Sequence, residues 1–383
     1  MTQLKPQILS VTMAGWPGMR GEVRLDLGWR RTVLVGRNGV GKSVVMESFV
    51  ESARLAWARR ARDVEDDVRF SCEIGTPGHV QLRYRFEVSP TSARAEDGSI
   101  PGAPPERRLE WRESCHSGNG DLIWSVERNE AKFGDGRTIA FPRGVGVLGM
   151  FHAIDEMPKE AQQLRSRLGS VSLVRAGVPR VQQSHKRDPI YLKLVDEHRW
   201  QAIGAGRTER LAVRIAYLWE TSPEEDFVEL SSLVGRLGLG QSLQVAAIKA
   251  NDTNTLGWVQ LDGVNIGQLS DGTLRVIELL VNVLSAKRGV ICIEEPETGI
   301  HPGLLERVLA IFETYSHDRQ LVLATHSPYV LRWCDPADLR LVELLPDATS
   351  VRSLGADEVD RVEAYLRDEG TLDSFIFEHS DEE

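Results

Sequence analysis

The stretch GRNGVGKS occupies Gly36–Ser43, between an apolar run at residues 32–35 and a helical pattern from Val44 to about Arg62. Its Gly-x-x-x-x-Gly-Lys-Ser pattern predicts a phosphate-binding loop, because glycines let backbone N–H groups surround an anion at a helix N-terminus. We expect Lys42 to contact the β- and γ-phosphates of a nucleotide as a catalytic residue, and Ser43 to bind Mg²⁺. The predicted nucleotide contacts are Gly36, Arg37, Asn38, Gly39, Val40, Gly41, Lys42, Ser43 and Val44.

A second stretch, VICIEEPETGIHP at Val290–Pro302, begins as a continuous apolar run. Such a run is typical of a strand buried on both faces of a mainly parallel sheet. Glu294 and Glu295 end the run, at the edge where open α/β sheets bind their ligands. One carboxylate would hold hydrated Mg²⁺ and the other would orient or deprotonate water. We assign Glu294 to the metal and Glu295 to the water.

Two shorter motifs complete the series. LSDGT at Leu269–Thr273 precedes an apolar helical pattern, so its hydroxyl and glycine would lie at a helix N-terminus, although an ordinary N-cap fits equally well. His326 ends LVLATHS, which follows the paired glutamates as the next predicted strand. Taken alone, this histidine also fits a turn or core position.

The four motifs, in this order, resemble those of ABC-type ATPase heads, a group that includes the RecF, SMC and OLD (overcoming lysogenization defect) proteins. The similarity is greatest to stand-alone bacterial OLD-like ATPases of the AAA family. It implies an α/β P-loop NTPase with a mainly parallel core sheet, an antiparallel β insertion and a helical lobe. ATP and Mg²⁺ would be the cofactors. Two heads would form a homodimer, or a higher oligomer, with ATP between the phosphate loop of one subunit and LSDGT of the other.

The resemblance also implies roles for individual residues. His326 would sense the γ-phosphate, and Glu297 and His301 would belong to the D-loop. The signature acting in trans would be Leu269, Ser270, Asp271 and Gly272.

Three features differ from the family pattern. Glu294 stands where many members have aspartate. No Q-loop glutamine can be assigned, since the candidates Gln162, Gln163, Gln182 and Gln183 follow no clear strand. Residues 14–19, AGWPGM, stand where members often have an Asn/Phe-rich stretch before the phosphate loop, and Trp16 there fits either a stack on adenine or a packed turn.

Pattern changes divide the chain into five segments. The head begins at 1–67 with the phosphate loop, and 68–145 alternates as an antiparallel β insertion around a loop at 89–105. A basic helical lobe is predicted at 146–243, with 211–219 as its strongest helix. The head resumes at 244–350, and 351–383 should hold a helix and an acidic tail.

Charge is distributed unevenly along a chain of net charge −10. Residues 356–383 have a balance of −9, whereas 159–214 have a balance of +7. A basic segment can follow nucleic-acid phosphates, but a solvated surface or a protein interface fits as well. The candidate DNA contacts are Arg165, Arg167, Arg175, Arg180, Lys186 and Arg187.

Composition favours a cytoplasmic protein. The sequence has no apolar run of membrane-spanning length and no signal-peptide pattern, so a membrane partner is not expected. The four cysteines are isolated, as is common in a reducing compartment.

The resemblance implies an ATPase, converting ATP and water to ADP and phosphate, that acts as the sensor or switch of an anti-phage defence system. Its effector, for instance a nuclease, would be a separate protein, because only about fifty residues follow Pro328. One alternative is a RecF-like DNA-repair clamp that binds DNA in response to ATP. Another is the energy-coupling subunit of a transporter, opposed by the roughly 225 residues between Ser43 and Leu269.

Overall fold

The computed structural model describes residues 5–58, 64, 66–91, 108–177, 188–196, 199–204, 206–251, 254–285, 289–315, 319–355 and 357–360. The strands are β1 (Gln7–Ala14), β2 (Glu22–Asp26), β3 (Arg31–Val35), β4 (Val68–Thr76), β5 (His79–Thr91), β6 (Arg108–Ser117), β7 (Leu122–Glu127), β8 (Glu130–Phe133), β9 (Thr138–Ala140), β10 (Ser172–Val174), β11 (Leu192–Asp196), β12 (Arg199–Ala202), β13 (Leu243–Asn251), β14 (Asn254–Leu261), β15 (Val264–Asn265), β16 (Val290–Glu294), β17 (Gln320–Ala324), β18 (Leu339–Leu344) and β19 (Thr349–Ser353). The helices are α1 (Lys42–Ala56), α2 (Lys159–Leu168), α3 (Arg207–Thr221), α4 (Val228–Arg236), α5 (Asp271–Ser285), α6 (Pro302–Tyr315) and α7 (Pro328–Trp333).

The central sheet has the order β10-β16-β17-β3-β18-β19 and is parallel except for β19. Leu34, Cys292 and Val322 face α1 and the antiparallel sheet. Their neighbours Ile291 and Leu323 face the other core, which includes α3, α4, α5 and α6. The apolar runs predicted as buried strands are therefore explained, because alternate side chains enter two different cores.

The antiparallel sheet has the order β2-β1-β4-β5-β6-β7-β8-β9. The predicted antiparallel character of 68–145 is confirmed. The sheet also includes β1 and β2 of the N-terminal segment, because β4 pairs with β1. Along the chain, β3 and α1 with the phosphate loop between them lie between β2 and β4 of this sheet. The predicted loop at 89–105 overlaps β5 as far as Thr91, and residues 92–107 lie outside the described ranges.

The predicted helical lobe at 146–243 needs correction. It contains α2, α3 and α4, and α3 confirms the strongest predicted helix, but three strands interrupt the helices. Of these, β10 joins the central sheet, while β11 and β12 form a third sheet of order β12-β11-β14-β13, with β15 beside β14. β10, β11 and β12 are three to five residues long, and β10 and β11 pair with β16 and β14, which lie far along the chain.

The C-terminal region partly follows the prediction. β18 ends the head segment predicted at 244–350, and β19 returns antiparallel to it at the start of the segment for which only a helix and a tail were predicted. Helical residues continue at 357–360, whereas the rest of the predicted helix and the acidic tail lie outside the described ranges. Within those ranges, every helix is too short or too polar to cross a membrane.

Gln320 joins the central and antiparallel sheets. Its buried amide accepts a hydrogen bond from Ile8 N at 3.0 Å and donates to Ile8 O at 2.7 Å and Gly28 O at 3.0 Å. We expect Gln320→Ala to lower the free energy of unfolding by about 2–5 kcal/mol, because buried backbone groups lose their partners. Denaturant unfolding measures this loss. The exposed Gln201→Ala is the control, and equal stability of the two variants would contradict the prediction.

Candidate nucleotide-binding site

The phosphate loop connects β3 to α1 through residues 36–41. Gly39 and Gly41 have positive φ angles of 83° and 104°, and Gly41 precedes α1 directly. A Cβ atom at Gly36 would lie 2.3 Å from the carbonyl oxygen of Val342 on β18. Glycine is therefore required at 36 by space and favoured at 39 and 41 by backbone conformation. The loop ends at a helix N-terminus, which attracts anions.

Lys42 lies over this loop with only 8% of its surface exposed. Its Nζ donates to Gly36 O at 2.8 Å and Arg37 O at 3.0 Å, and lies 3.4 Å from Nδ1 of His326. Burial lowers the pKa of Lys42, while Glu295 and Glu297 act in the opposite direction. The amine is thus held at the loop that would surround the phosphates. Ser43 is exposed in the first turn of α1.

Glu294, at the end of β16, is 6% exposed. Its Oε2 accepts a hydrogen bond from the N–H of Ala176 at 3.0 Å, and its buried Oε1 lacks a partner among the described residues. An unpartnered buried carboxylate oxygen is costly, and coordination of a hard cation would satisfy it. The donor set fits Mg²⁺, which takes one or two protein oxygens besides water and phosphate. Glu294 and the Ser43 hydroxyl would hold it.

Glu295 has a positive φ of 42°, rare for a residue with a side chain. Its N–H donates to Ala324 O at 2.8 Å, which connects the ends of β16 and β17. Its Oε2 accepts from Thr298 Oγ1 at 2.9 Å, and its Oε1 lies 3.9 Å from Nε2 of His326. The side chain is 41% exposed, so water can reach it.

His326 follows β17 and lies between Lys42 and Glu295. Burial lowers the pKa of His326, the nearby Lys42 charge lowers it further, and Glu295 opposes the shift. We infer a neutral ring in which Nδ1 accepts from Lys42 and the Nε2 hydrogen points toward Glu295. A neutral ring with this tautomer can donate to a phosphate oxygen near Glu295.

The predicted D-loop residues contact their own chain. Glu297 Oε1 accepts from Thr325 Oγ1 at 2.8 Å and from the N–H of His326 at 3.3 Å. Its Oε2 is buried and lacks a partner among the described residues. His301 is exposed, and its Nδ1 accepts from Gly303 N at 3.3 Å at the start of α6. Glu297 therefore holds the histidine segment in place.

The LSDGT segment begins α5. Ser270 caps the helix, since its Oγ accepts from Thr273 N at 3.2 Å and lies 2.7 Å from Thr273 Oγ1. A Cβ atom at Gly272 would lie 2.7 Å from the carbonyl oxygen of Gly299, in the turn after the paired glutamates. The N-cap interpretation is thus observed, and the role in trans stays a prediction.

The described basic candidates make contacts inside the chain. The Arg165 guanidinium lies 4.4 Å from the ring centre of Phe151, and Arg175 pairs with Glu47. The prediction that Arg167 contacts nucleic acid is wrong, because its side chain is buried and only 5% of its surface is exposed. Arg180, Lys186 and Arg187 lie outside the described residues.

The structure shows the environment of Trp16 and the residues that follow the strand beside β16. The Trp16 indole donates to Ser52 Oγ at 2.8 Å and packs against the core, which favours the packed-turn interpretation. The strand beside β16 is β10, and it is followed by Arg175 and Ala176 rather than by a glutamine. The N–H of Ala176 reaches Glu294 from that position. No motif indicated this contact.

The strand, glycine-rich loop and helix, together with the buried carboxylate at the end of the neighbouring strands, are those of a P-loop nucleotide-binding fold. Residues 227–332 match a family model described as "AAA domain, putative AbiEii toxin, Type IV TA system". No curated protein matches the chain.

Solved structures similar to the chain have low sequence identity. The SMC head domain from Thermotoga maritima is 10% identical and matches over 91% of this chain and 100% of its own, with a TM-score of 0.44. An Smc head domain with an extended coiled coil, bound to the C-terminal domain of ScpA derived from Pyrococcus furiosus, is 12% identical over 95% and 100%, with a TM-score of 0.44. A nucleotide-free ATP-binding cassette from an ABC transporter is 14% identical over 94% and 96%, with a TM-score of 0.37.

Proposed function

We propose that the chain binds and hydrolyses Mg-ATP, and that two heads closed around ATP switch a separate effector protein in an anti-phage defence system. One observation supports the proposal that the chain binds and hydrolyses Mg-ATP. Lys42, His326 and Glu295 form a continuous series with separations of 3.4 and 3.9 Å, next to the unpartnered Oε1 of Glu294. Three separate sequence segments therefore converge on one site.

Each side chain has a role in hydrolysis. Lys42 would leave the loop carbonyls and contact the β- and γ-phosphates. Glu295 would orient a water molecule and accept its proton while the water oxygen bonds to the γ-phosphorus and the bond to ADP breaks. His326 would donate to a γ-phosphate oxygen. A bound Mg²⁺ would supply charge neutralisation, held by Glu294 and Ser43.

An exposed apolar surface supports a protein partner. On the outer face of the third sheet, Tyr191, Ile203 and Ile248 are 47%, 64% and 58% exposed. Tyr191 and Trp258 lie edge to face, with ring centres 6.4 Å apart. Aromatic and aliphatic side chains grouped on a surface are typical of protein interfaces. The matched family's description names a toxin, which supports placing the chain in a defence setting.

We expect the purified chain to hydrolyse ATP and to leave DNA and RNA intact. Effector activity should require a protein encoded beside it and should disappear with Lys42→Ala. The experiment expresses the chain alone and with its genomic neighbours, then measures ATP turnover, nucleic-acid cleavage and phage plating. Copurification followed by mass spectrometry identifies the partner. Metal-dependent cleavage by the isolated chain would contradict an effector in trans.

A further inference from the structure

Arg275 lies in the second turn of α5 and is fully buried, with 0% of its surface exposed. One terminal nitrogen donates to the carbonyl oxygens of Glu294 at 2.7 Å and Glu295 at 3.1 Å. A single guanidinium group therefore holds the backbone where β16 ends and where Glu295 takes its left-handed conformation. The helix that begins with LSDGT thus contacts the residues assigned to metal and water.

The second terminal nitrogen of Arg275 extends this contact. It donates to Arg175 O at 2.8 Å and to Glu278 Oε2 at 3.1 Å. Arg207, at the start of α3, donates to both Glu278 oxygens at 2.6 Å. It also reaches the carbonyl oxygens of Arg175 at 2.7 Å and Ala176 at 3.1 Å.

These contacts form a closed ring. The carbonyl groups of the 175–176 segment accept from the two arginines, while the N–H of Ala176 donates to Glu294 Oε2. Arg275 is therefore connected to Glu294 twice. It donates directly to the carbonyl oxygen of Glu294, and it holds the 175–176 segment, whose Ala176 N–H donates to the Glu294 carboxylate. Displacement of Arg275 would therefore disturb the carboxylate of Glu294 and the backbone of Glu295 together.

Net stability does not explain such a cluster. A buried ion pair gains little over an apolar core of the same volume, because both charges lose their water. The cluster does fix the relative position of three segments through hydrogen bonds of defined direction. Partners that orient metal-binding carboxylates in this way commonly control activity.

We propose that Arg275 is a positioning residue for ATP hydrolysis and links the LSDGT helix to Glu294 and Glu295. The inference rests on the proposed function. LSDGT would contact the nucleotide of the partner head, whereas Glu294 and Glu295 serve the nucleotide of their own head. Arg275 then makes the geometry of one ATP site depend on closure of the other.

The test is Arg275→Gln in the full chain, with steady-state kinetics, equilibrium binding of a fluorescent ATP analogue with Mg²⁺, and thermal unfolding. We expect kcat to fall by about 10- to 100-fold, the range for loss of a partner that orients a metal ligand. KM and analogue binding should change by less than about threefold, because the phosphate loop is untouched. A purely structural role would lower Tm without this difference between kcat and binding.

Arg214→Gln is the matched control. Arg214 also lies on α3, and its guanidinium donates at 2.8 Å to Asn282 of α5, two turns beyond Arg275. This variant should lose stability while keeping kcat. If both variants lose activity in proportion to their loss of Tm, Arg275 has no positioning role.

Arg207→Gln covers the case in which Arg275→Gln does not fold, because the Arg207 side chain is 21% exposed. We expect it to lower kcat several-fold with unchanged analogue binding. Wild-type kcat in this variant would overturn the proposal. If the unmodified chain shows no ATP turnover, the proposed function itself fails. Normal turnover in a folded Arg275→Gln variant defeats only the present inference.

A double variant tests the link to LSDGT. Combined with Ser270→Ala, Arg275→Gln should give a kcat that departs from the product of the two single effects, because both changes act on one connected unit. Strictly multiplicative effects would show that Arg275 acts without LSDGT and would remove the link between the two ATP sites.

Discussion

We expect Lys42→Ala to reduce ATP turnover to background. The Lys42 amine is a positive charge held at the phosphate loop, and alanine cannot stabilise the charge that develops on the transferred phosphoryl group. Binding of Mg-ATP should also weaken. A phosphate-release assay and a fluorescent ATP analogue measure the two effects.

Thermal unfolding separates this loss from misfolding. The lowered pKa of Lys42 means that folding disfavours its charged form, mainly through burial. At any pH below the folded-state pKa the charged amine therefore costs stability, and this cost disappears above the unfolded-state pKa. Near neutral pH and without nucleotide, removal of this cost should offset part of the lost contacts with Gly36 O and Arg37 O, so Lys42→Ala should stay folded and unfold in one cooperative transition. Lys132→Ala, at an exposed position on β8, is the control. Unchanged turnover in Lys42→Ala would remove the phosphate-loop interpretation.

Glu295→Gln should slow hydrolysis by about 10²- to 10⁴-fold, the usual effect of losing a general base. Glutamine keeps the shape and can still accept from Thr298, but it cannot take a proton from water. Mg-ATP should still bind, because Lys42, Ser43 and Glu294 are unchanged. The variant should therefore accumulate as ATP-bound closed dimers, which size-exclusion chromatography with ATP detects.

Glu294→Gln provides the comparison. Loss of this carboxylate should weaken the dependence of binding on Mg²⁺, which Glu295→Gln should leave intact. Glu306→Gln, at an exposed position on α6, controls for the loss of a glutamate that has no role in the proposed site. If Glu295→Gln hydrolyses ATP normally while Glu294→Gln does not, the two roles are reversed.

The central strands could be predicted because their sequences carry the signal themselves. β3, β16 and β17 each contain a continuous apolar run, and each precedes a residue that belongs to the candidate site. The proximity of Lys42, Glu295 and His326 could therefore be predicted, because the carboxyl ends of parallel strands meet at one edge of a sheet.

The remaining structure depends on distant partners. β11 alternates over only five residues, and its neighbour β14 begins about sixty residues later. Arg275 contacts Arg175, a hundred residues away in sequence. Its spacing from Ser270 gives no indication of which carbonyl groups it reaches. Burial of Arg167 was equally hidden, because the amphipathic pattern of α2 does not show how closely the helix is covered.

The position of β3 between β17 and β18 has a consequence for synthesis of the chain. The phosphate loop is synthesised about 280 residues before the first of the segments that its strand pairs with, residues 321–324 and 339–341. Contacts of such long sequence separation form late, because a large loop must close before they contribute. A nascent chain whose synthesis has not reached residue 339 would have GRNGVGKS without the complete sheet that shapes it. A chain that binds ATP would then be one in which β3 has already paired with β17 and β18.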